Sequence, residues 1–597
     1  MNRAVVLNSI DDAKVCIGEN LHRESRLFST HASVDIYLRE FHGLDCQCLS
    51  THLSTEDILV QRKIASQIVD EVVHELDGTI SKNINEKWDL KVRWFETLYS
   101  YLGKHHLQGY LCFVEAIKRV IDIYQLKKIN FFNIRFNQFL ETPSELGQII
   151  KFITPQVHFE IIHGQNISRT SPHAIGNDLK RYLNLLRHSP KHVSKKLWDY
   201  LLNYFHQESF AYGRPTLLCL FSYNLRFLKK ALHGRYNLLN LGEFLKSISL
   251  SYSKDLEDQL DLQDDFAQVE NNIARENDTF KKLMLQDIRN DFRSNVAYYV
   301  KVLDELKKRH QRYTFGLCII GGPQVGGVGA MCCEYLRSED VHIVIGQHGC
   351  LYGEIDEPWH FDSDFNRCNT FISYGFTKTD LSQLYPGKEI KTEIVPSGYL
   401  PLTACGPKKI DILFPATNSL SFFNGGVSRI KPDKLAERQI KLLEFLDSFA
   451  NLDIYVKLFV NSSYDNCAIL PVLKRLKNVK VVDHVDLLDF LKMYHPRVVL
   501  IEYPSQPLVE VLRLDTEIFL MPDDILPYGE AILNDLKKRV NLCETIEDAK
   551  IGICAYFQGQ LKPKRDETYQ KHFIDGERPE EVILNLIDHL VNRKKML

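Results

Sequence analysis

The chain has 597 residues, of which 44% are hydrophobic and 25% charged, and its formal net charge is −3. This length exceeds one hydrophobic core, since a domain usually holds about 100–200 residues. The near-neutral charge, without a basic patch interleaved with aromatic residues, argues against nucleic-acid binding, and the absence of any run of about 18 apolar residues argues against a membrane-spanning helix.

The cysteines and the first residues indicate the compartment. None of the 14 cysteines belongs to a C-x-x-C pair, and several lie inside apolar runs, where a thiol behaves as a small hydrophobic group. The opening "MNRAVVLNSI" lacks the long apolar region of a secretory signal. We therefore expect reduced thiols and a cytoplasmic protein.

The first 164 residues alternate strands and helices. A strand is predicted at 3–8, a strand continuing into a helix at 26–38, and a long amphipathic helix with a Ser-Thr-Glu-Asp cap at 54–76. Two short apolar runs, at 129–136 and 157–164, are predicted as further strands. Strands that alternate with helices favour a parallel sheet covered on both faces.

Residues 165–310 show mainly helical periodicity, which we interpret as a helical insertion. Within them, a basic amphipathic segment extends from Lys180 to Lys196. It could rest on an anionic membrane surface or form an ordinary solvated helix face.

Strand-helix alternation resumes after the insertion and divides near residue 405 into two α/β units. Strands are predicted at 315–322, 341–349, 369–375, 409–415, 452–460, 479–485, 497–504 and 516–522. An amphipathic helix is predicted at 434–449, and a capped helix closes the chain.

The predicted fold class is therefore α/β, with two Rossmann-like domains that face a cleft and a helical insertion in the N-terminal half. The N-terminal domain would comprise residues 1–164 and 311–404, the insertion residues 165–310, and the C-terminal domain residues 405–597. Sheets of this kind bind ligands outside the carboxyl ends of their strands, so candidate site residues are sought there.

A glycine-rich loop, "GGPQVGGVG" at 321–329, joins a predicted strand to a helix. It does not match the P-loop pattern, because Val328 stands where lysine is needed, and it does not match G-x-G-x-x-G. A tight strand-to-helix turn explains the loop, and so does a backbone that approaches a ligand at a helix N-terminus. We assign Gly321 and Gly322 to the cleft as secondary elements.

The stretch "IVIGQHGCLYGEIDEP" at 343–358 has a histidine between glycines, followed by three acids. A histidine after a strand is commonly packed or solvent-facing, but glycines weaken a strand unless a close approach requires them. A histidine beside carboxylates suits general acid–base catalysis near neutral pH. We predict catalytic roles for His348, Glu354 and Glu357 and cleft-loop positions for Gln347, Gly349 and Tyr352. No second His or Cys stands at metal-ligand spacing, so no metal site is predicted.

The stretch "VVLIEYPSQPLVEVL" at 498–512 is the counterpart in the C-terminal unit. A buried strand ends before Ser505 and Gln506, and the helix that follows carries Glu510. A serine at a helix start beside free N–H groups can hold an anion, and Glu510 could accept hydrogen bonds from sugar hydroxyls; a plain N-cap with an exposed Glu is the alternative. Lys457 lies inside a predicted strand, where it would reach a phosphate or extend to the sheet edge.

With these stretches, the chain resembles the GT-B glycosyltransferases of bacterial surface-carbohydrate synthesis, which build capsule, O-antigen and lipopolysaccharide glycans and include Kdo transferases that use CMP-activated sugars. The resemblance rests on "QHGCLYGE", "FISYGFTKTDL", "EIVPSGYLPL" and "VVLIEYPSQPLVEVL…TEIFLMPDD", and it covers both α/β units. It implies a nucleotide-sugar donor on the C-terminal domain, an acceptor on the N-terminal domain, no cofactor and no required metal.

The resemblance also implies roles for particular residues. It places His348 and Glu354 near the reacting sugar, and Ser505 and Glu510 on the nucleotide-sugar. After Lys457, the family's usual His-Pro pair is replaced by Leu458 and Phe459, which departs from the phosphate-binding pattern.

The predicted function is a glycosyltransferase that moves a sugar from a nucleotide-sugar to a growing glycan or lipid-linked acceptor, in the cytoplasm with peripheral contact to the plasma membrane. If the anomeric configuration is retained, a carboxylate between Glu354 and Glu357 could act as the nucleophile. Two alternatives from other classes stay open: a sugar-nucleotide epimerase or polyol-phosphate transferase on the same fold, and a non-catalytic glycan-assembly protein.

Overall fold

The residues that the structure describes form three parallel β-sheets, each flanked by helices. The computed structural model describes residues 2–132, 156–162, 214–220, 228–233, 235–248, 262–274, 278–321, 327–349, 352–355, 364–399, 405–418, 430–460, 462–464, 466–523, 525–526, 528–576 and 579–596. The predicted α/β fold class is confirmed, and we name the parts around the three sheets the first, second and third units.

The first unit is built on a five-stranded sheet of order β3-β2-β1-β4-β5. Its strands are β1 (Arg3–Leu7), β2 (Arg26–Ser29), β3 (Cys46–Cys48), β4 (Lys128–Phe132) and β5 (His158–Ile162). Its helices are α1 (Ile10–Gly18), α2 (Ala32–His42), α3 (Thr55–Leu76), α4 (Lys82–Trp88) and α5 (Trp94–Tyr124). The predicted cap is present, because Ser54 and Asp57 form a capping box at the start of α3.

The second unit is built on a six-stranded sheet of order β11-β10-β9-β8-β6-β7. Its strands are β6 (Thr216–Leu220), β7 (Asn237–Asn240), β8 (Phe315–Ile320), β9 (His342–Gly346), β10 (Thr370–Ser373) and β11 (Glu393–Pro396). Its helices are α6 (Leu228–His233), α7 (Leu241–Ser247), α8 (Gln263–Ala274), α9 (Thr279–Tyr313), α10 (Gly327–Ser338) and α11 (Lys378–Leu384).

The third unit is built on a six-stranded sheet of order β14-β13-β12-β15-β16-β17. Its strands are β12 (Lys408–Pro415), β13 (Ile454–Lys457), β14 (Val479–Val482), β15 (Tyr494–Ile501), β16 (Glu517–Leu520) and β17 (Asn541–Leu542). Its helices are α12 (Pro432–Asp447), α13 (Leu470–Leu473), α14 (Leu487–Leu491), α15 (Gln506–Val511), α16 (Glu530–Arg539), α17 (Ile546–Phe557), α18 (Thr568–Phe573) and α19 (Pro579–Met596).

The predicted domain division is wrong in the N-terminal half. Residues 1–164 and 311–404 do not share one sheet, because strands of the first range form the first sheet and strands of the second range belong to the second. The range 165–310 is not a purely helical insertion, since β6 and β7 pair in parallel and β6 also pairs with β8. Strand β6 is buried over most of its length and β7 has only four residues, and such short runs give no periodicity that separates a strand from a buried helix.

Long helices join the first unit to the second. Helices α3 and α5 pack along each other, and α9 and α10 pack against this pair. The guanidinium of Arg367 donates to the backbone oxygens of Glu96 and Thr97 at 2.8 and 2.9 Å, at the start of α5. The two sheets are therefore connected through a shared helical layer and not through the sheets themselves.

The last helix leaves the third unit and packs on the second sheet. Buried residues of α19, among them Ile583, Ile587 and Val591, join one hydrophobic cluster with Leu317 of β8 and Val344 of β9. The end of the chain therefore ties the third unit to the second.

Three further sequence predictions concern the basic segment, the state of the cysteines and a membrane-spanning helix. The basic segment from Lys180 to Lys196 lies outside the described residues. Within the described ranges, every cysteine is free, and none of the helices has the length and apolar character needed to cross a membrane.

Candidate functional site

A cavity of about 350 Å³ opens between the carboxyl ends of the second and third sheets. His348 and Gly349, which follow β9, form one wall. The opposite wall is formed by the loops that follow β12, β13 and β15 and by the start of α14. The two Rossmann-like units predicted to face a cleft therefore correspond to the second and third units.

The position of the cavity follows from the strand order of the third sheet. Strand β12 has β13 on one side and β15 on the other, so the direction of chain progression reverses between β12 and β15. Open parallel sheets leave a crevice at such a switch point, outside the carboxyl ends of the strands. All three of these strands send their following loops into the cavity wall.

The lip that carries His348 is braced by the residue before it. The amide of Gln347 donates to Gly349 O at 2.8 Å, and its side-chain oxygen accepts from Tyr374 N at 2.7 Å. Gly349 has φ +94°, in the left-handed region that favours glycine. Gly349 lines the cavity and Gln347 holds the loop from behind without lining it, and their predicted cleft-loop roles stay predictions.

His348 is exposed at the mouth of the cavity, yet the surrounding protein desolvates its imidazole and lowers the pKa of the ring from 6.5. Its neutral form is therefore the main form at pH 7. A neutral imidazole at a cavity mouth can accept a proton from a substrate hydroxyl, which is the requirement for a general base.

Lys457 ends β13 and lies in the cavity wall with 6% of its surface exposed. Burial lowers the pKa of its ammonium, while Asp486, Asp483 and Glu510 oppose this effect. Its Nζ donates to the backbone oxygen of Leu458. The group is a buried cation donor that a phosphate could approach from the cavity.

Glu510 lies one turn into α15 and is 5% exposed. Burial raises the pKa of this carboxyl to about 8, and a hydrogen bond with Gln506 and the charge of Lys457 limit the rise. The carboxyl is therefore protonated at pH 7 and can donate a hydrogen bond as well as accept one. Because Glu510 is buried, the alternative interpretation of a plain N-cap followed by an exposed Glu is excluded.

Ser505 and Gln506 also line the cavity. Ser505 is the N-cap of α15, but its side chain makes no capping hydrogen bond. The amide nitrogen of Gln506 donates to the hydroxyl of Tyr399 at 3.1 Å. The structure thus brings together six predicted residues, whose roles stay predictions: His348, Gly349, Lys457, Ser505, Gln506 and Glu510.

Three other predicted residues lie away from the cavity. Glu354 is 2% exposed and accepts a 2.6 Å hydrogen bond from Tyr569, so it anchors the C-terminal segment and does not line the cavity. Tyr352 is buried against Phe371, and Gly321 donates its N–H to Leu220 O in continuation of the sheet. The structure therefore contradicts cleft positions for these three residues.

Gly322 and Glu357 lie outside the described residues. Their predicted roles, in the glycine-rich loop and in catalysis, therefore stay predictions.

Thr417, in the loop after β12, lines the cavity and was not predicted as a site residue. Thr417 N donates to the carboxylate of Glu502, and Thr417 O accepts from the amide of Gln439 at 2.8 Å. Burial raises the pKa of Glu502 to about 7, and Arg438 Nη1 donates to its backbone oxygen at 2.6 Å. The position of Glu502 just after a buried strand was the available sign of this part of the site. Its partners Thr417 and Arg438 are more than 60 residues away in the sequence, so no local pattern shows the contact.

The apolar and acidic parts of the wall were not predicted as site residues either. Phe459 and Val460, after β13, are 54% and 46% exposed and line the cavity, and Asp486 lies at the start of α14. Exposed apolar residues beside a cavity suit contact with an apolar part of a ligand. Phe459 and Val460 fall within the strand predicted at 452–460, so nothing in the sequence indicated that their side chains are exposed.

The arrangement can support proton transfer and anion binding. A neutral imidazole stands on one wall, and a buried lysine and a protonated carboxyl stand on the other. Within the part of the chain that the structure describes, no cluster of three His, Cys, Asp or Glu side chains could hold a metal ion.

Comparison with protein-family models finds no match, and comparison with curated proteins finds none either. Among solved structures, the chain is similar to the glycosyltransferase SnogD from Streptomyces nogalater, with 12% sequence identity and a TM-score of 0.32. The similarity covers 63% of this chain and 100% of that one. A likeness of this size is no evidence of a shared reaction.

Proposed function

We propose that the protein is a glycosyltransferase that uses a nucleotide-sugar donor. The observation that carries the proposal is the cavity at the switch point of the third sheet, where Lys457, Ser505, Gln506 and Glu510 face His348 across the cleft. A donor bound on the third unit would place its sugar towards the second unit. This arrangement separates donor and acceptor sides, as a transfer between two substrates requires.

Each group would have a defined task. Neutral His348 would accept the proton of the acceptor hydroxyl while the new glycosidic bond forms. Lys457 would offset the charge on the phosphate that leaves with the nucleotide, in a position where burial strengthens the interaction. Protonated Glu510 would hydrogen-bond the nucleotide, with Gln506 orienting its carboxyl.

The donor that this charge pattern favours carries one phosphate. Lys457 and His348 are the basic side chains among the described lining residues, and Asp486 and Glu510 supply acidic ones. A nucleoside diphosphate would bring more negative charge to a wall with little to balance it. We therefore propose a CMP-activated sugar, including acidic sugars such as Kdo, and a growing surface glycan or lipid-linked chain as acceptor.

The proposal is tested with a thermal-shift panel of CMP, CDP, UDP and GDP, each with and without Mg²⁺. A nucleotide at 100 times its dissociation constant adds about 2.7 kcal/mol of stability, which moves the melting temperature by several degrees. We expect a selective shift with CMP that Lys457→Met reduces and that Lys434→Met, an exposed lysine on α12, leaves unchanged. No shift with any nucleotide would overturn the proposed donor class.

Product analysis then separates the transferase from the alternatives. A transferase moves the sugar to an added glycan acceptor and releases the nucleotide only when that acceptor is present. An epimerase changes the sugar with no acceptor present. A polyol-phosphate transferase would leave phosphorus in the product. A non-catalytic assembly protein would show no turnover and would keep its biological function in the His348→Ala variant.

A further inference from the structure

Tyr399 stands just beyond β11, at the carboxyl end of the second sheet, and is 4% exposed. Its backbone N–H donates to Ile574 O in the C-terminal segment at 2.7 Å. The preceding Gly398 has φ +84°, and a Cβ placed on it would overlap the backbone of Gly576. The backbone at Tyr399 is therefore fixed by close packing against the returning end of the chain.

The side chain of Tyr399 contacts both walls of the cavity. Its ring centre lies 4.7 Å from that of Tyr374, whose hydroxyl accepts from Gly349 N at 3.4 Å. Its own hydroxyl accepts from the Gln506 amide at 3.1 Å. Tyr399 thus connects the residue next to His348, on the second unit, with the first turn of α15, on the third.

We propose that Tyr399 is a positioning residue that sets the separation between the His348 wall and the Gln506 wall of the cavity. Gln506 and Glu510 lie four residues apart on α15, so they are neighbours on one face of the helix and a shift of Gln506 reaches Glu510. The identity of the ligand rests on the proposed function, but the positioning itself rests on these contacts alone.

The contacts matter because the two walls belong to different sheets. A tyrosine ring has two side-chain torsions, so it holds a hydrogen-bond partner with little loss of conformational entropy. A displacement of about 1 Å between reacting groups can lower a rate by about 100-fold. A buried ring that is anchored through its backbone can therefore keep His348 and Glu510 at the separation that the reaction requires.

The first test is hydrogen exchange of the full chain, comparing Tyr399→Phe with the wild type. The variant keeps the ring against Tyr374 and removes the hydroxyl. We expect faster exchange in residues 347–349 and 506–511. The matched control is Tyr124→Phe, which removes a hydroxyl that donates to Gln47 Oε1 at 3.0 Å in the first unit. Unchanged exchange at both cavity walls in Tyr399→Phe, or the same change in the control, would overturn the proposal.

The second test measures the affinity for the nucleotide that stabilises the wild type. Tyr399→Phe and Gln506→Ala should each weaken binding about fivefold, the size expected for one lost hydrogen bond. The double variant should bind no more weakly than the weaker single variant, since both remove the same link. Fully additive losses, or no loss in Tyr399→Phe, would refute positioning through Gln506.

The two failures are distinguishable. If the wild type binds no nucleotide, the proposed function fails, and hydrogen exchange still decides whether Tyr399 joins the walls. If the wild type binds nucleotide and Tyr399→Phe matches it in both measurements, the positioning role fails and the proposed function stands.

Discussion

Glu510 and Lys457 show opposite pKa changes with one cause. Burial raises the pKa of the Glu510 carboxyl to about 8 and lowers that of the Lys457 ammonium. Each group is therefore shifted towards its neutral form. A bound phosphate would favour the charged form of Lys457, so ligand binding and protonation are coupled at this wall.

Glu510 makes folding stability depend on pH. The unfolded carboxyl titrates near 4.5 and the folded one near 8, so between these values the folded state keeps a proton that the unfolded state has released. Stability should fall with rising pH by about 1.4 kcal/mol for each pH unit of this window. In Glu510→Gln this part of the decline disappears, as urea denaturation at pH 5, 6.5 and 8 would show. Parallel pH profiles of the two proteins would contradict the prediction.

His348 should be required for turnover but not for nucleotide binding. Removing a general base costs about 10²–10⁴-fold in rate, so His348→Ala should lose this much in kcat while nucleotide affinity stays within about twofold. Because the pKa of His348 lies below 6.5, the acidic limb of the wild-type kcat/KM profile should also lie below pH 6.5. His589→Ala, an exposed histidine on α19, is the control. Full turnover in His348→Ala would exclude the base role.

At the scale of elements, two glycines with nearly the same backbone angles allow the cost of a left-handed backbone to be measured apart from the cost of a steric overlap. Gly398 and Gly387 have φ +84° and +83°, but a Cβ on Gly398 overlaps Gly576, whereas nothing lies within 4 Å of one on Gly387. The left-handed backbone costs about 1–2 kcal/mol in either alanine variant. Gly398→Ala should lose about 1–3 kcal/mol more, because the C-terminal segment must move. Equal free energies of unfolding in urea would show that the contact is not tight.

The sequence predicts the bounds of individual helices and strands better than it predicts which residues contact each other in the fold. The predicted strand at 409–415 and helix at 54–76 match β12 and α3 closely, because strand and helix periodicities are local signals. Glu354 was predicted to be catalytic because a carboxylate close to a histidine suits general acid–base catalysis. Its burial depends on Tyr569, 215 residues further along, and no local pattern shows that pairing.

For the whole molecule, sheet membership was the property that the sequence did not determine. The alternation of strands and helices predicts parallel sheets, and the positions after β9, β13 and β15 lead to the cavity residues. Which strands pair depends on long-range contacts, so the first unit was merged with the second. Tyr399 was missed for the same reason, since its significance lies in partners from two distant segments.

The first unit is connected to the cavity through α12 of the third unit. At the start of this helix, Lys431 Nζ donates to Ser50 O and Leu53 O at 3.2 and 2.9 Å. About two turns later, Arg438 and Gln439 hold the loops that carry Glu502 and Thr417. One helix thus contacts the first unit at its N-terminal end and supports the cavity wall along its length.

Lys431→Met should weaken the contact between the first and third units. Lys431 is 7% exposed, and methionine retains most of its apolar volume while removing the donors to two backbone oxygens. Ser50 O also accepts from Leu53 N at 3.2 Å, so the substitution leaves Leu53 O without a donor but not Ser50 O. A buried oxygen left without a donor costs about 1–3 kcal/mol, so the free energy of unfolding in urea should fall by about 1–3 kcal/mol. Lys434→Met, at an exposed position three residues later on α12, should change it by less than about 0.5 kcal/mol. If both variants are equally stable, these hydrogen bonds do not hold the units together, and the packing of α2 residues Ala32 and Ile36 against α12 and α13 must carry the contact.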